Sequence, residues 1–114
     1  PTDKYEGFWY GMGLKDSYSV PLPTNVQVSD NFMKLFDMIV CDLTDKKSYT
    51  EHNELCVCVL SGISITENKL FYFTYDNITY HFHEGLKHYY KNFNVQPSIE
   101  FSKALRASLF TKMQ

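Results

Sequence analysis

Residues 69 to 83, KLFYFTYDNITYHFH, constrain this chain more than any other stretch. Lys69 to Tyr75 and Ile78 to His83 are rich in the residue types that favour strands, and only Asp76-Asn77 separates them. A connection that short makes an antiparallel hairpin the natural pairing. In the second strand Ile78, Tyr80 and Phe82 alternate with His81 and His83. That alternation turns the apolar set inward and both histidines toward solvent.

The rest of the chain agrees with a fold dominated by sheet. It has nine Tyr, nine Phe and one Trp, whereas Ala occurs only at 104 and 107. Residues 5 to 14 read as a first strand, with glycines at 7, 11 and 13. Ser17 to Val20 continues it or starts a second, and Pro21-Leu22-Pro23 breaks the sheet. Asn25 to Val28 is a further short strand. Ser29-Asp30-Asn31 offers side-chain acceptors to a helix start. Phe32, Leu35, Phe36, Ile39 and Leu43 follow at helical spacing, which predicts a helix over 30–40. Thr44 to Asn53 is a polar connection. Glu54 to Leu60 is apolar on both faces, as a central buried strand would be. Ser61-Gly62 interrupts it, Ile63 to Thr66 alternates, and Glu67-Asn68 makes a turn. Glu84 to Phe93 is a short helix. Pro97-Ser98 opens a C-terminal helix with Phe101, Leu105 and Leu109 on one side and Lys103, Arg106 and Lys112 on the other.

The expected fold is α+β. An antiparallel or mixed sheet of five to seven strands packs against the C-terminal helix, with a second helix near residues 30–40. The 114 residues suit one compact domain over 1–114. The chain begins with Pro1, and residues 1 to 6 read as an interdomain junction, so excision from a longer chain is expected.

Several classes of function are disfavoured. A formal charge of −2 opposes a phosphate-tracking surface, so double-stranded DNA is not an expected partner. No apolar run is long enough to span a bilayer, and no membrane partner is expected. Cys41, Cys56 and Cys58 are odd in number, and 56 and 58 are too close for a disulfide, which favours a reducing, intracellular compartment. His81 and His83 could ligate a metal with Glu84 or His88, but no further ligand motif accompanies them. Cys56-Val57-Cys58 lacks the wider spacing and second pair of a zinc ribbon, so it reads as core packing. No metal or cofactor is therefore expected. No nucleophile elbow or phosphate loop is present, and no enzyme is expected.

The remaining signal is aromatic. In GFWYGMG, residues 7 to 13, Phe8 and Tyr10 face one way on a strand and Trp9 the other. One core face cannot absorb all three. Tyr5 and Tyr18 join them as neighbours. Exposed rings between glycines form a stacking platform for bases, or a hot spot for a protein partner. Phe8, Trp9, Tyr10 and Tyr18 are the stacking candidates, with Asp16 or Glu6 accepting hydrogen bonds from a purine edge.

Two resemblances bear on this cluster. Gly7-Phe8-Trp9-Tyr10 is similar to the G-x-W-Y signature of the first lipocalin strand, and Thr74-Tyr75-Asp76-Asn77 resembles that family's later T-D-Y element. The match covers under ten residues and implies a calycin-like barrel for a small apolar ligand. In size, layout and composition the chain resembles the cap-binding domains in polymerases of segmented negative-strand RNA viruses, which hold a methylated guanine between two aromatics. The leading expectation is a recognition module of that second kind, binding a nucleotide or RNA cap. A protein-interaction domain and a calycin-like barrel are the alternatives.

Overall fold

The computed structural model describes residues 2–7, 21–53 and 56–112. The chain is α+β. In order it forms β1 (Thr2–Glu6), α1 (Asp30–Asp45), β2 (Tyr49–Glu51), β3 (Cys56–Val57), β4 (Ser64–Ile65), β5 (Lys69–Tyr75), β6 (Ile78–His83), α2 (Leu86–Phe93) and α3 (Ile99–Lys112). The strands divide between two sheets. One is four-stranded with order β1-β6-β5-β2, and the other pairs β3 with β4. Among the described residues the six strands divide four plus two, where one sheet of five to seven was expected.

The β5–β6 hairpin forms where the sequence places it, with Tyr75 opposite Ile78. Asp76 and Asn77 have φ of 54° and 61°. Two left-handed residues match the twist of the flanking strands, and Asp and Asn tolerate that region. β2 joins β5 antiparallel, whereas β1 runs parallel to β6, so the sheet is mixed.

Both long helices start where the sequence signals. The Ser29 Oγ accepts from the Phe32 N–H at 3.1 Å, and the Ser98 Oγ from the Phe101 N–H at 3.2 Å. Each bond satisfies a donor that the first helical turn leaves open. α1 extends beyond residue 40 because Leu43 stays on its buried stripe. Lys47 then takes φ 58°, and the Ser48 N–H reaches back to the Leu43 carbonyl at 2.8 Å.

α1 and α3 cover one face of the large sheet. Phe82 sits at the centre of that layer. Its ring lies 5.5 Å from Phe36 of α1, 5.4 Å from Phe71 of β5 and 5.3 Å from Phe101 of α3. Phe82, Phe71 and Phe101 are fully buried. The open order of this sheet leaves no closed barrel among the described residues.

Other local expectations change, and residues 2–6, read as a junction, form β1. Residues 25–28 form no strand, although Val28 is a core residue. The polar connection 44–53 contains β2, an edge strand held by three residue pairs and by Tyr49 packing edge-on to Phe71. The apolar run after Asn53 is not a central strand. Among its described residues Cys56 and Val57 pair, and the chain then turns, with the Gly62 N–H bonded to the Cys58 carbonyl at 2.7 Å. Gly62 has φ 75°, a backbone state glycine adopts without strain.

Phe82→Ala should cost about 3–5 kcal/mol, because four elements lose ring contacts together. Ser98→Ala should cost about 1 kcal/mol through the lost cap. Urea denaturation of the two variants checks both values and their order.

Candidate functional site

Five of the six residues expected to bind a ligand, Phe8, Trp9, Tyr10, Asp16 and Tyr18, lie outside the described residues. The sixth, Glu6, ends β1 with both carboxylate oxygens directed at the start of α3. They accept from the Ser98 N–H and Oγ–H, each at 2.8 Å. Burial pushes the Glu6 carboxyl up from its usual range, and the two Ser98 bonds work against that shift.

The structure brings other residues together on the sheet face opposite α1 and α3. On β6 the inward Tyr80 and Phe82 alternate with the outward Thr79, His81 and His83. Across the strands, Tyr5 of β1 and Tyr72 of β5 both register with His81. The Tyr5 and His81 rings stack at 4.6 Å and 14°, and Tyr72 lies 6.3 Å from His81 at 43°. Tyr5 is 59% exposed and Tyr72 38%. Three rings therefore form a row over three adjacent strands. One step along, Asp3, Thr79 and Thr74 form a polar row. Asp3 Oδ1 lies 3.0 Å from His81 Nε2, and the Thr74 and Thr79 hydroxyls are 3.1 Å apart.

His83 departs from the expected solvent exposure. It is fully buried. β2 pairs with β5 at the end where Leu70 opposes His83, and the β3–β4 hairpin lies over that end. There His52, Cys56 and His83 converge. The Nε2 atoms of His52 and His83 are 2.7 Å apart, and Cys56 Sγ lies 3.8 Å from each. The Gly85 N–H donates to His83 Nδ1 at 2.8 Å. With Nδ1 accepting, neutral His83 carries its proton on Nε2 and donates it to His52 Nε2. His52 then holds its own proton on Nδ1, a buried atom without a hydrogen-bond partner among the described residues. A cleft of about 370 Å³, lined by Asn53, Ser64, Thr66, Glu67 and Asn68, reaches His52 and Cys56.

Cys58 is buried as expected, but in a polar setting. Burial raises its thiol, yet bonds from the Ser61 hydroxyl, the Leu60 N–H and His88 outweigh that effect and bring it down to about 7. His88 is oriented in turn by Asn92, whose amide lies 3.1 Å from His88 Nδ1.

The His52–Cys56–His83 cluster was not read from the sequence. Its one local cue is the His52-x3-Cys56 spacing; His83 lies 31 residues from His52. No protein-family model, curated protein or solved structure matches the chain.

Burial pushes the His83 imidazole down to about 4, and the facing His52 adds to the shift. Its other close polar neighbours are Cys56 and the Gly85 N–H. The unfolded chain gains a proton here below about 6.5, while the fold keeps the ring neutral. Stability from this group is full above that pH and declines as pH falls toward 4. In EDTA, urea unfolding at pH 7 and pH 5 should show the wild type losing about 2 kcal/mol more than His83→Gln. Equal losses would exclude a buried neutral His83.

Proposed function

We propose that this domain is a non-enzymatic recognition module that stacks a nucleotide base on the open sheet face. The observation that supports it is the row Tyr5, His81 and Tyr72 across three adjacent strands. A sheet holds neighbouring strands about 4.8 Å apart, so such rings form a rigid platform that costs little ordering on binding. Asp3 places a carboxylate beside the rings, where it can accept from the edge of a stacked purine. Asp3 takes the role the sequence suggested for Asp16 or Glu6: one of its oxygens meets His81, whereas both oxygens of Glu6 are engaged with Ser98.

Phe8, Trp9 and Tyr10 follow β1 after Gly7 in the chain. Trp9 is four residues from Tyr5, so their Cα atoms are separated by at most about 14 Å. Its fluorescence can therefore report on a base at Tyr5. The net charge of −2 agrees with reading one or two bases rather than tracking a phosphate backbone. A methylated guanine of an RNA cap is the specific ligand we propose, within a viral polymerase of the segmented negative-strand type.

Titration of Trp9 fluorescence with a cap analogue, unmethylated GTP and UMP tests the reading. The cap analogue should quench most strongly. Tyr5→Ala and Tyr72→Ala should each weaken binding by about 5- to 150-fold, the equivalent of one lost stacking contact. Equal quenching by the cap analogue and GTP would remove the cap and retain base stacking. Silence toward all three, with a stoichiometric dimer in solution, would replace the reading with a protein-interaction domain.

A further inference from the structure

We propose that His52, Cys56 and His83 bind one divalent cation of the zinc class, with a fourth position open to the adjoining cleft. The three donor atoms all lie within 4.8 Å of one another. Their separations are 2.7, 3.8 and 3.8 Å. A triangle of those sides has a point roughly 2 Å from every corner, which is the zinc–imidazole distance and slightly under the zinc–thiolate one. A point about 0.7 Å off the plane of the donors lies roughly 2.05 Å from both nitrogens and 2.3 Å from the sulfur, which are the zinc–imidazole and zinc–thiolate distances.

Each donor comes from a separate part of the fold and is held there. His52 follows β2, with its N–H bonded to the Asn68 carbonyl at 3.1 Å and its carbonyl accepting from the Asn68 amide at 3.4 Å. Cys56 is fixed in β3 opposite Ile65. His83 ends β6 with its ring against Gly85, where any Cβ would lie 2.9 Å from Nδ1. His52 and Cys56 are held in place for a metal, whereas His83 needs its bond from the Gly85 N–H released first.

One proton serves the two Nε2 atoms, and the sulfur lies 3.8 Å from each. A cation engages all three lone pairs at once. Two imidazoles and a thiolate suit zinc in ligand type, and a tetrahedral angle requires the two Nε2 atoms to part by about 0.6 Å. The cleft lined by Asn53, Thr66 and Glu67 leaves room for water at the fourth position.

Binding rearranges two protons. The Cys56 thiol proton leaves to solvent as the thiolate forms. The proton on His83 Nε2 gives way to the metal, and His83 then carries one on Nδ1. Two N–H groups would face each other at that point, so the Gly85 N–H must turn away. The Gly85 amide is thus a reporter specific to this site.

The experiment uses the whole chain, washed with chelator and titrated with Co²⁺ and then Zn²⁺. One equivalent of Co²⁺ should give a thiolate charge-transfer band and the intense visible bands of a four-coordinate ion, and Zn²⁺ should displace them. Cys56→Ser should abolish the charge-transfer band, whereas Cys41→Ser and Cys58→Ser should retain it. His52 is only partly buried, so His52→Ala should fold. That variant should bind Zn²⁺ over 100-fold more weakly, beyond the roughly 10–100-fold cost of an outer-shell change. Zn²⁺ should raise the melting temperature of the wild type and shift its Gly85 amide resonance. No cobalt band from a folded wild type would overturn the site. Loss of the band in Cys58→Ser but not in Cys56→Ser would overturn the donor set. Uptake of Cu²⁺ with none of Zn²⁺ would overturn the class of metal.

Discussion

The structure depends on the burial of the Phe82 ring among Phe36, Phe71 and Phe101. These contacts join α1, β5 and α3 to β6, the strand that also accepts β1 on its other edge. Fixing Phe82 inward fixes the rest of β6, since side chains alternate with a period of two. Tyr80 must follow Phe82 into the core, and His81 and His83 must point the other way. One register thus positions the helices and places both histidines on the outer face.

That face is not uniform, and its division explains why two histidines two residues apart meet different fates. Near β1 the described residues leave Tyr5 and Tyr72 exposed, and His81 lies between them. At the other end the β3–β4 hairpin covers His83. The dividing agent is β2, which pairs with only the first residues of β5, Lys69 to Phe71. Its exit carries His52 over His83, and the hairpin follows. Three residues of edge strand therefore separate an open ring platform from a buried polar cluster.

What could be read from the sequence was local. Asp76-Asn77, the Ser29 and Ser98 caps and the stripe Phe32-Leu35-Phe36-Ile39-Leu43 each act through neighbours within a few residues, and each gave an element at the stated place. β2 was not legible, because a three-residue edge strand has no periodicity to detect and takes its stability from Phe71. The run at 54–60 misled because burial on both sides is not unique to a central strand. Cys56 and Cys58 are buried in a satellite hairpin instead, while Leu60 at its turn is 37% exposed. The solvent-facing expectation for His83 fails for a related reason. Alternation assigns a side of the sheet, but not what covers that side. The same limit applied to Glu6, whose carboxylate is committed to a serine 92 residues away.

The satellite hairpin makes the metal inference physically economical. Among the described residues β3 and β4 share two residue pairs, Cys56 with Ile65 and Val57 with Ser64. An isolated two-stranded ribbon is marginal even at greater length. Apolar burial at Cys56, Cys58 and Ile65 attaches this one to the core, but Val57, Val59 and Ile63 remain partly or largely exposed. The Tyr89 hydroxyl accepting from the Val59 N–H at 3.3 Å adds a polar tie. A cation held by Cys56 of the hairpin, His52 after β2 and His83 of β6 would cross-link three segments far apart in sequence. The loop it closes between His52 and His83 contains the whole hairpin, so the constraint falls on the unfolded chain as well as on the fold. A small domain with a modest core gains most from a staple of that kind.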